Sequence, residues 1–308
     1  PDGDFKVFQP RTRGLEYGIS HFEDSFYIVS NADGAQNFKL SKTSETQTEK
    51  QYWKDVIPHR ESVLLEDIDI FKDFLVVSER ENGLNHIHIK RWDGTDSYYL
   101  PFESETYTAY TTTNIDFNTT ILRYGYQSLT TPSSVIDFDM ATKTKTIQKE
   151  QEVLGGKFDK NNYESERVWA TADDGTKIPI HVSYKKSTNI TKDTPVMLYG
   201  YGGFNISSTP SFSASLIPWL EKGGVYVVTN LRGGSEYGEK WHEAGMKLKK
   251  QNVFDDFIAG AEFLIREKYT SPAYLAASGR SNGGLLVGAV INQRPDLFAA
   301  ALPGVGVM

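Results

Sequence analysis

Cysteine is absent from the 308 residues, and so is any apolar run of the about 18 residues that a membrane-spanning helix needs. The lack of cysteine excludes a disulfide framework, a thiolate nucleophile and a cysteine-ligated zinc site, but it does not identify a compartment. An excess of positive charge is also missing: the net charge is −7, whereas nucleic-acid-binding proteins gather Lys and Arg on one face. We therefore expect no nucleic-acid partner and no membrane partner.

Aromatic residues (13%) and charged residues (24%) occur at levels typical of an ordered globular protein. Single domains usually have about 100–200 residues, so a chain of 308 residues is expected to hold two domains. The chain starts at Pro1 with neither an initiator methionine nor a charged-then-apolar leader, so we expect its natural N-terminus to be missing. Cytoplasm and periplasm both stay open as compartments, and we expect a monomer.

Residues 1–157 consist of short β-rich runs separated by polar turns, without a helical period of comparable length. Runs that begin at Asp24, Asp73 and Thr120 recur 47–49 residues apart. This spacing is close to the about 40–50 residues of a propeller blade with four strands, and it predicts part of a β-propeller with about three blades. A β-sandwich with fortuitous spacing is the alternative that periodicity alone leaves open.

The pattern changes after residues 151–165, a segment that mixes glycine with charge and predicts a linker. The apolar runs Pro195–Tyr199 and Val225–Val228 are typical of buried parallel strands. A helix is predicted from Asn252, where apolar residues recur at helical spacing. Strands that alternate with helices predict a doubly wound, mostly parallel α/β sheet, which we assign to a second domain at 158–308.

Ser281 lies between Gly279 and Gly283, after the apolar run Tyr274–Ser278 and before a run typical of a helix. This order is that of the nucleophile elbow of α/β hydrolases, in which a serine on a sharp turn exposes its hydroxyl near a helix N-terminus. Glycine is needed two residues before and after the serine, because side chains there would collide. A Gly-rich helix start capped by a serine is the alternative, whereas a P-loop is excluded because no Gly-Lys-Ser/Thr follows.

The loop Tyr199–Phe204 follows the first of the predicted parallel strands and contains three glycines. An α/β hydrolase needs a second oxyanion donor besides the backbone N–H after the nucleophile, which here belongs to Asn282. It takes that donor from the loop after an early strand. This loop is therefore the candidate, with a tight packing turn as the alternative.

Four motifs of the second half occur together in one order. They are Tyr199–Asn205, Leu231–Gly238, Gly279–Gly284 and Asn292–Phe298. In sequence and spacing they resemble the prolyl oligopeptidase family of serine peptidases. The resemblance implies that Ser281 attacks the peptide carbonyl, that the Tyr201 hydroxyl and the Asn282 backbone N–H bind the oxyanion, and that Phe204 lines the pocket for the residue before the scissile bond. It also implies short peptides as substrates, no metal, no organic cofactor, and a propeller that screens the active site.

The first half resembles the same family through Gly14–Tyr17, Ser30–Gly34 and Leu122–Tyr126. These segments are closer to oligopeptidase B, the relative that cleaves after Lys or Arg. Because the catalytic domain forms the specificity pocket, the Phe204 loop outweighs the propeller, and we expect cleavage on the C-terminal side of proline. Cleavage after Lys or Arg is the first alternative. A non-catalytic propeller protein that binds peptides is the second, and the intact elbow argues against it.

The histidines bear on whether the chain is active. The catalytic residues of α/β hydrolases follow the order Ser, Asp or Glu, His, yet all six histidines precede Ser281: His21, His59, His86, His88, His181 and His242. We therefore expect the chain to end inside its catalytic domain, to lack the catalytic Asp and His, and to be nearly inactive by itself. His242 is expected to pack or to border the substrate, and the pair at 86 and 88 lacks a third metal ligand.

Overall fold

The computed structural model describes residues 3–156 and 158–307. The first two residues, which bear on the expectation of a missing N-terminus, and the predicted domain boundary at residue 157 lie outside the described residues. Among the residues described, no helix combines the length and the apolar character that crossing a bilayer requires.

The first half of the chain forms three four-stranded sheets. Their strands are β1 (Tyr17–Phe22), β2 (Ser25–Ser30), β3 (Lys39–Ser44) and β4 (Lys54–Ile57), then β5 (Val63–Ile70), β6 (Phe74–Glu81), β7 (Leu84–Arg91) and β8 (Ser97–Tyr99), then β9 (Tyr107–Thr111), β10 (Ile121–Ser128), β11 (Ser134–Asp139) and β12 (Thr144–Glu150). Each sheet is an antiparallel meander of consecutive strands. Three successive meanders are typical of propeller blades, whereas a sandwich has two packed sheets.

Alternating burial explains why these runs form strands. In β7 the side chains of Ile87 and Ile89 are 1% and 0% exposed, whereas His86 and His88 lie on the opposite, partly exposed face. The hairpin between β6 and β7 turns at Asn82 and Gly83, which have φ angles of 54° and 75°. Two consecutive positive φ angles are what a type I′ turn requires, and Asn-Gly is the favoured pair.

The second half forms one six-stranded sheet with helices around it. Its elements are β13 (Tyr163–Thr171), β14 (Lys177–Lys185), β15 (Val196–Tyr199), α1 (Ile217–Glu221), β16 (Val225–Thr229), α2 (Glu239–Glu243), α3 (Gln251–Arg266), β17 (Leu275–Arg280), α4 (Asn282–Gln293) and β18 (Ala300–Gly304). The strand order is β13-β14-β16-β15-β17-β18, with the first two pairs antiparallel and the remaining three parallel. The predicted mostly parallel α/β sheet is confirmed.

The predicted linker at 151–165 is too long by three residues, because β13 begins at Tyr163, which pairs with Lys185 of β14. The core of this half consists of strand residues such as Leu198 and Val227, packed against Phe257 of α3 and Leu286 of α4. The predicted helix from residue 252 is confirmed as α3.

β15 is the point at which the strand order reverses. The chain leaves β15 to form β16 on one side, and later returns to place β17 on the other side. In open α/β sheets, ligands bind beyond the carboxyl ends of the strands at such a switch point. The loop after Tyr199 and the turn at Ser281 both lie at this edge, at the ends of β15 and β17.

Candidate active site

Ser281 occupies the sharp turn between β17 and α4. Its backbone has φ 55° and ψ −118°, a conformation that non-glycine residues rarely adopt, and its side chain is exposed. The backbone N–H of Ser281 donates to the carbonyl of Gly304 at 2.9 Å, which ties the turn to the end of β18. Strain at an exposed serine before a helix N-terminus is the geometry expected of a nucleophile elbow.

The glycines around Ser281 are required by close backbone contacts. A Cβ atom on Gly279 would lie 2.2 Å from the carbonyl oxygen of Gly283, and one on Gly283 would lie 2.5 Å from the carbonyl oxygen of Gly200. A Cβ on Gly284 would lie 2.7 Å from the carbonyl oxygen of Gly304. The collisions that the sequence predicts are therefore present, and they involve the loop after β15 as well as the elbow itself.

The loop after β15 lies directly on the elbow. Gly202 has φ +60°, and a Cβ on it would lie 2.3 Å from Cγ1 of Val253 in α3. A Cβ on Gly203 would lie 2.6 Å from Nδ2 of Asn282. The loop thus fits between α3 and the first residue of α4 because it has no side chains at these two positions.

Asn282 links the loop to the elbow through its side chain. Its Nδ2 donates to the backbone carbonyl of Tyr201 at 2.5 Å, and its Oδ1 accepts from Nζ of Lys250 at 3.1 Å. Lys250 Nζ also donates to the carbonyl of Gly202 at 2.7 Å. Burial lowers the pKa of Lys250. The two residues expected to bind an oxyanion, Tyr201 and Asn282, are therefore in contact through backbone and side chain.

Phe204 and Asn205 form the exposed tip of this loop. Both have positive φ angles, 55° and 56°, and Phe204 is 74% exposed. The N–H of Asn205 donates to the carbonyl of Gly233 at 3.1 Å, and Nδ1 of His242 lies 2.7 Å from the same oxygen. His242 therefore supports the loop that carries Phe204, as the expected packing role requires.

A buried ion pair holds the segment that packs against the loop after β15. Arg232 binds Asp256 of α3 through Nη2 at 2.6 Å and Nε at 3.0 Å, and it also pairs with Asp174. Asp256 is 0% exposed, and burial raises the pKa of its carboxyl while Arg232 opposes the rise. Gly233, the next residue, has φ +96°, and a Cβ there would lie 2.8 Å from the carbonyl oxygen of Gly202. The second of the four motifs, Leu231–Gly238, therefore packs against the first, Tyr199–Asn205.

A second buried cluster contains Glu236 and His181. Glu236 accepts from the N–H of Ser208 at 2.7 Å, and burial raises its pKa to about 7. His181 Nε2 bonds to Oδ1 of Asn230 at 2.9 Å, and burial lowers the pKa of this histidine to about 4. Arg80, in the second four-stranded sheet, counteracts part of the rise in the pKa of Glu236. The cluster thus lies where the two halves of the chain meet.

Further contacts join the halves near the loop. The N–H of Glu239 donates to Oδ1 of Asn37 at 3.0 Å, and Oγ1 of Thr108 donates to the carbonyl of Pro210 at 2.7 Å. A cavity of ≈ 350 Å³ opens between the halves beside Glu239. Residues from both halves line it: Gly18, Val29, Phe38, Leu64, Leu65, Glu66, Asp67, Asn205, Ser235 and Glu239.

The structure joins Tyr201 to Asn282, the residue after Ser281, but among the residues it describes it places no general base at the serine. Within the described ranges, the hydroxyl of Ser281 makes no hydrogen bond, and none of the six histidines bonds to it. His88 instead bonds to Oγ of Ser97 at 2.8 Å and stacks on Tyr99. The part of the chain that the structure describes contains no group of three His, Cys, Asp or Glu side chains that could hold a metal ion.

Three residues of the site were not predicted from the sequence: Lys250, Asp256 and Glu236. A signal existed for Asp256, which lies among the apolar residues Val253 and Phe257 on the buried face of α3. No comparable signal exists for Lys250, because it is one of several lysines in a polar segment. Glu236 is part of a motif, but only its tertiary partners show that it is buried.

Both halves of the chain match known protein families. The model of the prolyl oligopeptidase family matches residues 210–308, and the model of the prolyl oligopeptidase N-terminal β-propeller domain matches residues 2–151. Together the two matches cover most of the chain, in the order that the motifs predict.

Among curated proteins, dipeptidyl aminopeptidase BI of Pseudoxanthomonas mexicana is 38% identical over 97% of this chain and 41% of its own length. A prolyl endopeptidase of Elizabethkingia miricola is 40% identical over 98% of this chain and 42% of its own length. Among solved structures, oligopeptidase B from Leishmania major has a TM-score of 0.89 and 38% identity, over 96% of this chain and 42% of that one. The chain thus spans about 40% of the length of the relatives it matches.

Proposed function

Since the chain belongs to the prolyl oligopeptidase family, we propose that it contributes the nucleophile and the oxyanion site of a serine peptidase that cleaves short peptides after proline. One observation carries the proposal. Ser281 is strained and exposed, and the next residue, Asn282, bonds to the loop that contains Tyr201. Residues 1–157 would form a partial propeller of about three blades, and residues 158–308 the N-terminal part of the catalytic domain, in a monomer.

In the proposed reaction, the hydroxyl oxygen of Ser281 forms a bond to the carbonyl carbon of the scissile peptide while a general base takes its proton. The negative charge that develops on the carbonyl oxygen is stabilised by the Tyr201 hydroxyl and the Asn282 backbone N–H. Collapse of this intermediate breaks the C–N bond, the amine leaves with a proton, and water then hydrolyses the acyl-enzyme. Phe204, exposed at the tip of the loop that carries Tyr201, would contact the proline ring before the scissile bond.

The proposal includes inactivity of residues 1–308 alone. Without a general base the serine hydroxyl is a weak nucleophile, and loss of a triad member lowers the rate by a factor of about 10⁴ or more. Support comes from the absence of any hydrogen bond between Ser281 and a histidine in the ranges 3–156 and 158–307. Activity would then require an acid and a base that these residues do not supply.

Cleavage after Lys or Arg is the second candidate, and one observation favours it. The cavity between the halves carries the carboxylates of Glu66, Asp67 and Glu239, which would attract a basic side chain. Against it, Glu66 is already paired with Arg80 at 2.8 Å, and Glu239 accepts from Asn205 at 3.1 Å. Because two of these carboxylates are already engaged, and because Phe204 presents an exposed apolar ring, we favour proline.

The test uses the full product of the gene and a biotinylated fluorophosphonate. We expect the reagent to label Ser281, and we expect Ser281→Ala to lose both labelling and peptide hydrolysis, whereas Ser278→Ala, in the preceding strand, retains both. Full activity of Ser281→Ala would refute the proposal. Comparing kcat/KM for matched peptides with proline or arginine before the scissile bond then decides between the two specificities.

A further inference from the structure

Lys250 lies in surroundings that are unfavourable for a charged side chain. It precedes the first residue of α3 and is partly buried, and burial lowers its pKa. Its Nζ bonds to two neutral oxygens, the Gly202 carbonyl at 2.7 Å and Oδ1 of Asn282 at 3.1 Å. Among the described residues it forms no ion pair. A partly buried ammonium without a carboxylate partner costs stability, so stability does not explain the position of Lys250.

The two acceptors of Lys250 belong to the two halves of the candidate oxyanion site. Gly202 follows Tyr201 in the loop after β15, and Asn282 follows Ser281 at the start of α4. Since Nδ2 of Asn282 donates to the carbonyl of Tyr201 at 2.5 Å, three hydrogen bonds join the lysine, the asparagine and two consecutive loop carbonyls. This set fixes the direction of both peptide planes of the loop relative to the elbow.

The loop cannot hold this position by apolar side-chain packing at its centre. Gly202 and Gly203 have no side chains, and the φ angle of +60° at Gly202 is one that glycine adopts readily but is not locked into. A glycine pair has more conformational freedom than any other pair, so a precise loop needs outside contacts. The contacts of Lys250 and Asn282 supply them.

We propose that Lys250 is a positioning residue that locks the Tyr201–Gly203 loop onto the elbow, and so holds the hydroxyl of Tyr201 and the N–H of Asn282 at the spacing that one oxyanion requires. The proposal rests on the proposed function for its catalytic consequence, but the lock itself can be measured without activity. Lys250 does not touch the substrate and acts through Asn282 and the loop. Its positive charge also adds to the potential that favours a negative oxygen nearby.

The first test measures amide hydrogen exchange in the full product of the gene. We expect Lys250→Met to accelerate exchange at least tenfold in the peptides that contain residues 201–206, and to leave the three four-stranded sheets unchanged. Lys249→Met is the matched control, because Lys249 is the adjacent lysine and is exposed. If Lys250→Met does not fold, Lys250→Gln replaces it, since glutamine is polar but has no charge and its side chain is shorter by one atom. Equal exchange in the variant and the control would overturn the lock.

The second test measures catalysis in the full product of the gene. We expect Lys250→Met to lower kcat about 10–100-fold, less than the about 10²–10³-fold of losing an oxyanion donor outright, with KM changed less than twofold. The affinity for a peptide boronate, which mimics the tetrahedral intermediate, should fall by the same factor as kcat. In an Asn282→Ala background the effect of Lys250→Met should shrink but not vanish, because both substitutions break the bond between Nζ of Lys250 and Oδ1 of Asn282, whereas the bond from Lys250 to Gly202 is broken only by Lys250→Met.

The outcomes separate the two proposals. A wild-type gene product without peptidase activity refutes the proposed function, while the exchange experiment still decides whether Lys250 locks the loop. A peptidase whose kcat and boronate affinity are unaffected by Lys250→Met refutes the positioning role, and the proposed function survives. A variant that changes only KM would also overturn the inference, because a positioning residue for an oxyanion acts on the transition state.

Discussion

Asn282 and Tyr201 are 81 positions apart in the chain, yet Nδ2 of Asn282 donates to the backbone carbonyl of Tyr201 at 2.5 Å. The residue after the candidate nucleophile is therefore bonded to the residue that carries the candidate oxyanion hydroxyl. This bond makes the elbow and the loop one structural unit.

Removing the hydroxyl of Tyr201 tests its proposed role. In the full product of the gene, Tyr201→Phe should lower kcat about 10²–10³-fold, as expected when one oxyanion donor is lost, with little change in KM. Tyr199→Phe, two residues earlier in the same segment, should change kcat less than threefold. A kcat for Tyr201→Phe that equals the wild-type value would show that this hydroxyl does not bind the oxyanion.

Adding a methyl group to Gly283 tests the packing of the elbow. Its Cβ would lie 2.5 Å from the carbonyl oxygen of Gly200, so Gly283→Ala should lower the free energy of unfolding by about 1–3 kcal/mol. Gly18→Ala, where no atom lies within 4 Å of the new Cβ, serves as the control and should be neutral or slightly stabilising. Urea unfolding of residues 1–308 measures both, and equal values would contradict the contact.

Breaking the buried ion pair should be costly. Arg232→Met leaves Asp256, which is 0% exposed, without its charged partner, and we expect a loss of about 3–5 kcal/mol in the free energy of unfolding. Arg266→Met removes an arginine whose pair with Glu267 is exposed, and should cost less than about 1 kcal/mol. Adding Asp256→Leu to Arg232→Met should recover part of the loss. A double variant no more stable than the single one would contradict this account.

Glu236 should make stability depend on pH. Burial raises its pKa from 4.5 to about 7, so the folded state holds the proton more tightly than the unfolded state does. The associated stability is complete below pH 4.5 and is lost as the pH rises towards 7 and above, by about 3 kcal/mol in total. Glu236→Gln should therefore gain stability relative to the wild type between pH 5 and pH 8.

Urea unfolding of the wild type and of Glu236→Gln between pH 5 and pH 8 isolates the effect of Glu236, because all other groups titrate in both proteins. Burial lowers the pKa of His181 from 6.5 to about 4, so the folded state loses stability as the pH falls below 6.5. This loss occurs in both proteins and cancels in the comparison. A difference between Glu236→Gln and the wild type that is independent of pH would mean that the carboxyl titrates normally.

The sequence predicted those features that depend on local order. The strand, the glycines and the helix around Ser281 are consecutive, so their pattern predicts the turn, and the collisions at Gly279 and Gly283 are found. The contacts of Lys250 and Glu236 depend instead on how distant segments pack. Lys250 reaches Asn282, which lies 32 positions further along the chain, and Glu236 is buried by residues from two separate loops and by the second sheet. No periodicity encodes such contacts.

The contacts of the elbow glycines also determine which substitutions at the elbow can accumulate in evolution without loss of the fold. At Gly279, Gly283 and Gly284 a methyl group would collide with neighbouring backbone atoms, so the fold itself requires glycine at these positions. The side chain of Ser281 is exposed and makes no hydrogen bond among the described residues, so exchanging it would cost the fold little. A descendant that lost peptide hydrolysis would therefore retain the glycine signature and differ first at the serine.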